Sequence, residues 1–318
     1  MIFPFTEDIE RKRMVIQVQN LVKVYGPIRA VDGISFEVKK GEVFGMLGPN
    51  GAGKTTTTEI IEGLRDADSG NITVMGMDVR KQREQIKQLI GIQLQAPALL
   101  PLLNVEEILK LFTSFYRNSL PVDKLLEMVA LTESRKVLSK NLSGGQQQRL
   151  SVAMAMVNNP EITFLDEPTT GLDPQARRGL WSVIEELRAQ GKTVFLTTHY
   201  MDEAERLCDR IAVVDHGKII ALDTPKKLIS GNFKESAIEF EMEPVPSGEL
   251  LGSFPCVTSA SVEGFEVILY SADIPKTMGA ILDYADKNKG NTELRNLHVR
   301  QATLEDVFLK LTGRKIRE

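Results

Sequence analysis

Gly48-Pro49-Asn50-Gly51-Ala52-Gly53-Lys54-Thr55-Thr56 fits the phosphate-loop pattern of a Gly, four residues, then Gly-Lys-Thr. Before it runs Glu42-Val43-Phe44-Gly45-Met46-Leu47, an apolar stretch that reads as a buried strand. After it, Thr56 to Arg65 reads as a helix. Strand, glycine loop and helix are the context the pattern needs. Glycines let the backbone wrap closely around phosphate oxygens, and the loop N–H groups form an anion nest. The helix adds its unpaired N-terminal N–H groups and the positive end of its dipole. Lys54 is expected to reach the β- and γ-phosphates, and Thr55 to offer its hydroxyl to Mg²⁺.

A second stretch complements the first. Glu161-Ile162-Thr163-Phe164-Leu165-Asp166-Glu167 is an apolar strand ending in two acids, the Walker B arrangement. Ionised carboxylates at a buried strand's end need a partner, because burying an unpaired charge is costly. A Mg²⁺-nucleotide is a sufficient partner. Asp166 would then hold the metal shell, and Glu167 would orient and deprotonate the attacking water.

Outward from these stretches, apolar strands alternate with helices. Thr193 to His199 is a further buried strand, and Ile211–Asp215 and Lys218–Leu222 form a pair across His216-Gly217. The alternation predicts a largely parallel sheet covered on both faces. Val15–Val18 and Ile34–Val38 alternate apolar with polar residues, as half-buried strands do. Residues 80–90 read as helical, as does Val105 to Leu138 in pieces split at Pro121. There Ile108, Leu109, Leu111, Phe112 and Phe115 recur at helical intervals and are expected in the core. Helices are also expected over Gln147–Val157 and Arg177–Ala189, with Trp181 packing. Around 231–255 the character changes to Pro- and Gly-marked loops. Beyond lie strands at 267–270 and 294–299 and helices at 274–288 and 303–312. With an opening strand at 237–241, this predicts a small α+β unit.

The 318 residues suit one large domain and one small one. Hydrophobic residues are 42% and charged residues 26%, ordinary globular usage. A net charge of -4 leans against a nucleic-acid binder, and two cysteines argue against a disulfide framework. No run approaches a membrane span. Residues 1–13 read as a leader without a secretory pattern; the strand pattern begins near Met14, a second candidate start.

Leu142-Ser143-Gly144-Gly145-Gln146 is the signature of the ATP-binding cassette (ABC) family, and residues 14–230 resemble an ABC ATPase, with the other motifs in the family's order. The resemblance implies a P-loop NTPase α/β cassette with antiparallel β and helical subdomains, the latter over about 96–158. The α+β unit of 231–318 would be an accessory domain. By the same resemblance Tyr25 stacks on adenine, and Gly48, Pro49, Asn50, Gly51, Ala52, Gly53, Lys54, Thr55 and Thr56 bind the phosphates. Gln95 contacts Mg²⁺ and the attacking water, although a Pro commonly precedes that Gln and Gln93 is a rival. Ser143, Gly144, Gly145, Gln146 and the D-loop residue Asp173 (within Gly171-Leu172-Asp173) complete the nucleotide site. His199 senses the γ-phosphate. The expected catalytic set is Glu167, His199, Gln95 and Lys54, the metal set Thr55, Gln95 and Asp166, and the cofactors ATP and Mg²⁺.

One chain cannot easily turn its own phosphate loop and its own signature helix toward a single γ-phosphate. The family's arrangement is a head-to-tail dimer with two sandwiched ATP molecules. Only residues 57–142 separate the phosphate loop from the signature, too few for the coiled coil of chromosome-maintenance relatives. One copy of each motif differs from the usual tandem translation factors. His199-Tyr200-Met201-Asp202-Glu203-Ala204-Glu205 and the closing 302–314 are similar to ABC-2-type, drug-resistance-like exporter ATPases. The expectation is therefore an ATPase homodimer on the cytoplasmic face of the membrane, powering a separately encoded multi-span permease, with no nucleic acid. Residues between Gln95 and Leu142 would dock the permease, with 98–103 as a contact patch. The alternative is a soluble ABC ATPase with a regulatory or nucleic-acid-linked role.

Overall fold

The computed structural model describes residues 14–95, 99–288 and 293–313. The leader at 1–13, the first residue of the 98–103 patch and the end of the tail lie outside the described residues. The chain divides into two compact units, one ending at Pro225 and the other beginning at Lys226. The division falls in helix α8 (Pro225–Asn232), the helix that also contains residue 230.

Two sheets build the first unit. Strands β1 (Met14–Tyr25), β2 (Ile28–Lys39), β4 (Ser69–Val74) and β5 (Met77–Asp78) form an antiparallel sheet in the order β2-β1-β4-β5. The larger sheet contains β3 (Val43–Leu47), β6 (Ile90–Gln93), β7 (Ile162–Asp166), β8 (Thr193–Thr198), β9 (Arg210–Asp215) and β10 (Lys218–Asp223). Its order is β10-β9-β3-β8-β7-β6, parallel except for the β9–β10 hairpin. Every residue of β3, β7 and β8 is buried, as in central parallel strands covered on both faces. The sheets share a core in which Phe36 stacks on Phe44 at 5.2 Å and Phe44 on Phe195 at 5.6 Å.

Helices connect the parallel strands. They are α1 (Lys54–Ile61), α2 (Arg83–Lys87), α3 (Val105–Thr113), α4 (Val122–Met128), α5 (Gly144–Ala155), α6 (Pro174–Ala189) and α7 (Met201–Leu207). Several start earlier than their apolar periodicity suggests, because caps rather than core residues set the first turn. Gly53, at φ 101, turns the chain directly into α1 at Lys54. Gly63, at φ 74, ends that helix, with Leu64 N donating to Glu59 O at 2.8 Å. Asp173 caps α6 with Pro174 in its first turn, and Ser143 caps α5 in a reciprocal capping box with Gln146. In the helical region, Ile108 and Leu109 of α3 are buried, but Leu111 and Phe115 are exposed. A single α3 face reaches the core, and the residues beyond it turn outward.

The second unit runs α8, β11 (Ser236–Glu243), α9 (Gly248–Gly252), β12 (Val257–Glu263), β13 (Glu266–Ser271), α10 (Ile274–Lys287), β14 (Glu293–Gln301) and α11 (Leu304–Thr312). The order β12-β13-β11-β14, with antiparallel neighbours, is the ferredoxin-like βαββαβ arrangement. Leu251, Phe254 and Ile281 cover one face, packing on Ile238, Phe240, Val267 and Leu269. Phe233 and Val307 pack with Ala237, Ile268 and Tyr270 in a second cluster. Helix α9 falls where loops were expected, and strand β12 lies between that stretch and the strand expected at 267–270, where no element was expected. An edge strand such as Val257–Glu263, with mostly exposed residues, carries little apolar alternation to read.

Candidate nucleotide site

The site lies beyond the carboxyl ends of β3, β7 and β8, where open parallel sheets bind ligands. Gly48 follows β3 and its N–H donates to Thr198 O at 3.3 Å. Its glycine identity has a steric cause: a Cβ there would stand 2.2 Å from Val214 O. A Cβ on Gly53 would stand 2.2 Å from Ala30 O. The loop is also tied to the β9–β10 turn, where Gly217 N donates to Ala52 O at 3.0 Å and Gly217 O accepts from Asp32 N at 2.8 Å. An open cleft of about 390 Å³ is lined by Tyr25, Ala30, Asn50, Gly51, Gly53, Lys54, Thr55, Thr56, Gln95 and Glu167.

Glu167 is the hub. Its backbone lies in the left-handed region, φ 46, pinned because its N–H donates to Thr197 O at 3.2 Å and to Thr197 Oγ1 at 3.0 Å. A non-glycine residue there costs on the order of 1 kcal/mol. Its carboxylate is surrounded: Lys54 Nζ at 3.2 Å, His199 Nδ1 at 3.3 Å, and donated hydrogen bonds from Gln95 Nε2 at 3.1 Å and Thr170 Oγ1 at 3.3 Å. Burial alone would raise this carboxyl, but Lys54 and then His199 outweigh it and hold it below its ordinary value. Burial pushes Lys54 down, against the pull of Glu167. The Lys54 ammonium also donates to Gly48 O at 2.8 Å and Pro49 O at 3.2 Å.

Asp166 is buried and bonded to two hydroxyls, Thr197 Oγ1 and Thr55 Oγ1, the latter at 3.4 Å. Burial raises its carboxyl above the ordinary range. Among the described residues it has no salt-bridge partner. Thr55 and Asp166 thus present an oxygen-only donor set, the kind that suits a hard divalent cation. Gln95 faces the cleft, whereas Gln93 is buried and donates to Leu94 O at 2.6 Å. Tyr25 closes β1 at the rim of the cleft, with Lys23 Nζ and the Arg65 guanidinium each 5.4 Å from its ring centroid.

The signature residues lie elsewhere. Ser143, Gly144, Gly145 and Gln146 do not line this cleft; they form the first turn of α5 and its capping box. Gly145 sits against α6, where a Cβ would come 2.7 Å from Ala176 Cβ. Asp173 Oδ1 accepts from the N–H groups of Gln175 and Ala176, both at 2.9 Å. Sequence reasoning missed Ala30, Thr170 and Thr197. Ala30 and Thr170 carry no pattern of their own, while Thr197 stands two residues before His199 in a strand that was already identified.

Comparison with known proteins agrees with this geometry. The family profile described as ABC transporter matches residues 31–170. The chain is 41% identical over 309 residues to the Nod factor export ATP-binding protein I of Burkholderia orbicola (strain AU 1054), covering 95% of this chain and 98% of that one. It is 38% identical over 313 residues to the linearmycin resistance ATP-binding protein LnrL of Bacillus subtilis (strain 168), covering 96% and 100%. Among solved structures, a dimeric ATP-binding cassette in a post-hydrolysis state bound to ADP and Pi superposes with a TM-score of 0.61 at 28% identity, over 66% of this chain and 98% of that one. With strand, phosphate loop and paired acids assembled as such cassettes require, the chain belongs to the ABC transporter family, as one of its ATP-binding, ATP-hydrolysing subunits.

Proposed function

We propose that two copies of this chain bind two ATP molecules head to tail and power the export cycle of a separate membrane permease. The observation that carries the hydrolytic reading is the convergence of Lys54, Gln95 and His199 on the Glu167 carboxylate within 3.3 Å. Lys54 neutralises phosphate oxygens. When it turns to them it leaves Glu167, whose carboxylate becomes a stronger base toward a water oriented by Gln95. His199 reports the γ-phosphate to Glu167 through their 3.3 Å contact. Tyr25 offers its ring to the adenine.

Thr55 and Asp166, with Gln95, would hold Mg²⁺, whose chemistry is to neutralise charge developing on the β- and γ-phosphates. No described cluster of His, Cys, Asp and Glu could hold a metal alone, which suits an ion held largely through the nucleotide.

The exposed α5 N-terminus supports the dimer, since Ser143 and Gly144 lie outside their own chain's cleft and can face a partner's. No described helix is long and apolar enough to cross a membrane. An apolar groove of about 400 Å³, lined in part by Leu64, Ile92, Leu94, Phe112 and Met154, is the surface we assign to the permease on the cytoplasmic face. Exposed Leu100 and Leu102 of the expected patch are a secondary candidate. Export follows from the similarity to the Nod factor export and linearmycin resistance proteins. The second unit is an accessory domain in this reading.

The test is Glu167→Gln, assayed for ATP turnover and for mass by light scattering with ATP-Mg²⁺. Turnover falls roughly a hundredfold or more while an ATP-bound dimer accumulates. A monomer under these conditions would overturn the dimeric mechanism.

A further inference from the structure

Glu203 is fully buried, four residues after His199 in α7, and no part of the cleft described above uses it. One of its oxygens, Oε1, accepts two hydrogen bonds: from Thr169 Oγ1 at 2.8 Å and from Trp181 Nε1 at 3.0 Å. The Thr198 side chain, directly before His199, is also a hydrogen-bonding neighbour of this carboxyl. Burial raises this carboxyl, and the side chains of Thr198, Thr169 and Trp181, in that order, pull it back down. An acid this deep, without a salt bridge among the described residues, is expensive to keep for packing alone.

The three residues joined at that oxygen belong to three segments. Thr169 lies in the turn between Glu167 and the α6 cap Asp173. Trp181 lies in α6. Glu203 lies in the helix that directly follows His199 and Tyr200. A second connection runs beside the first: the Tyr200 ring is 4.2 Å from the His199 ring, and the Arg177 guanidinium of α6 lies 4.1 Å from the Tyr200 centroid.

We propose that Glu203 is a positioning residue for ATP hydrolysis: its carboxylate locks the turn after Glu167 and helix α6 to the helix after His199, so that His199, Glu167 and Asp173 keep one geometry through the chemical step. Glu203 touches neither nucleotide nor water. It acts through Thr169 and Trp181, and its loss lets the His199–Glu167 contact drift. Small displacements of a reacting pair cost rate far more than binding. The proposal rests on the reading of Glu167 and His199 as the hydrolytic pair.

The experiment measures kcat, KM and direct ATP affinity for Glu203→Ala, Glu203→Gln, Thr169→Val and Trp181→Phe, beside Glu167→Gln and His199→Ala. Glu203→Ala is expected to lose about tenfold or more in kcat. ATP affinity should stay within about twofold of the parent, because no ground-state contact to ATP is removed. Glu203→Gln keeps an oxygen for both donors and should recover most of the rate. Thr169→Val and Trp181→Phe each remove one donor while leaving the acid; they should lower kcat separately, and less than additively when combined with Glu203→Ala. They also carry the test if Glu203→Ala does not fold. Wild-type kcat in Glu203→Ala, a parallel loss of ATP affinity, or full activity in Thr169→Val/Trp181→Phe overturns the proposal. Normal turnover in Glu167→Gln and His199→Ala would instead overturn the reading beneath it.

Discussion

The ammonium of Lys54 lies 3.2 Å from Oε1 of Glu167, with both side chains about 95% buried. The residue proposed to bind phosphate and the residue proposed to activate water are therefore each other's counter-ion. Removing one member of a buried pair typically costs about 3–5 kcal/mol. Lys54→Met is thus expected to destabilise the chain at pH 8, where it strands Glu167 as a buried anion. Without Lys54, burial dominates and the Glu167 carboxyl rises. Its protonation at lower pH then relieves the penalty, so the deficit shrinks as pH falls toward 5. Urea unfolding of parent and variant at the two pH values checks this; a pH-independent deficit would count against it.

Glu62, just after α1, is 2% exposed, and burial, aided by the charges of Asp166 and Glu59, pushes its carboxyl up to about 8. An unfolded glutamate titrates near pH 4.3. Between those values the folded chain keeps a proton that the unfolded chain has released, so this group's contribution to stability falls as pH rises. Glu62→Gln removes that dependence. Its Tm should match the parent near pH 5 and exceed it by about 2 °C or more at pH 8.5. Equal Tm differences at both pH values would sink the assignment.

Gly145 and Ala176 offer a separation of packing from function. A methyl at 145 meets the Ala176 methyl at 2.7 Å, so Gly145→Ala forces α5 off α6, an overpacking expected to cost about 1–3 kcal/mol. Adding Ala176→Gly returns the space. The double variant should regain stability in thermal unfolding. If ATPase activity stays low while stability returns, the glycine also serves the proposed dimer face; if both return, it serves packing.

The second unit depends on Asp306, which is 2% exposed and collects Tyr270 Oη at 2.6 Å, Arg300 through two nitrogens at 2.6 and 3.0 Å, and Thr303 N at 2.7 Å. Burial would raise its carboxyl, but Arg300 and Tyr270 outweigh burial and hold it low. That stabilisation is present above the unfolded aspartate value near 3.9 and is lost as pH falls below it. Asp306→Ala should cost this unit about 1–3 kcal/mol at pH 7, because the buried Tyr270 hydroxyl loses its acceptor while Arg300 keeps Glu239 at 2.6 Å. Hydrogen exchange across β11, β13 and β14 reads the loss, and unchanged protection there would refute it.

Much of the cassette was legible because it rests on backbone requirements. The phosphate loop needs its glycines where they stand, β3 is an unbroken apolar run, and β7 and β8 carry shorter apolar stretches interrupted or flanked by threonine. The acids at 166 and 167 stand out because charge is costly at a buried strand's end. Less legible were features that depend on what arrives from far along the chain. Nothing near Gly48 in sequence discloses that Val214 O limits its size. Nothing near Glu203 discloses Trp181 and Thr169. Leu111 and Phe115 shared the helical spacing of Ile108 and Leu109, yet spacing alone does not say how wide a face the neighbouring helices cover. Strand β12 was hidden because edge strands can be polar on both sides.

The bond from Gly217 N to Ala52 O has a practical side. The turn Asp215–His216–Gly217 looks like a safe place to insert a tag, being short and bearing an 80% exposed His216 side chain. It is the floor of the phosphate loop, clasped between Ala52 and Asp32. An insertion there would loosen the nucleotide's seat from below. A single dye attached at position 216, one residue from that clasp, should change its emission when ATP fills the proposed site, with no label on the nucleotide.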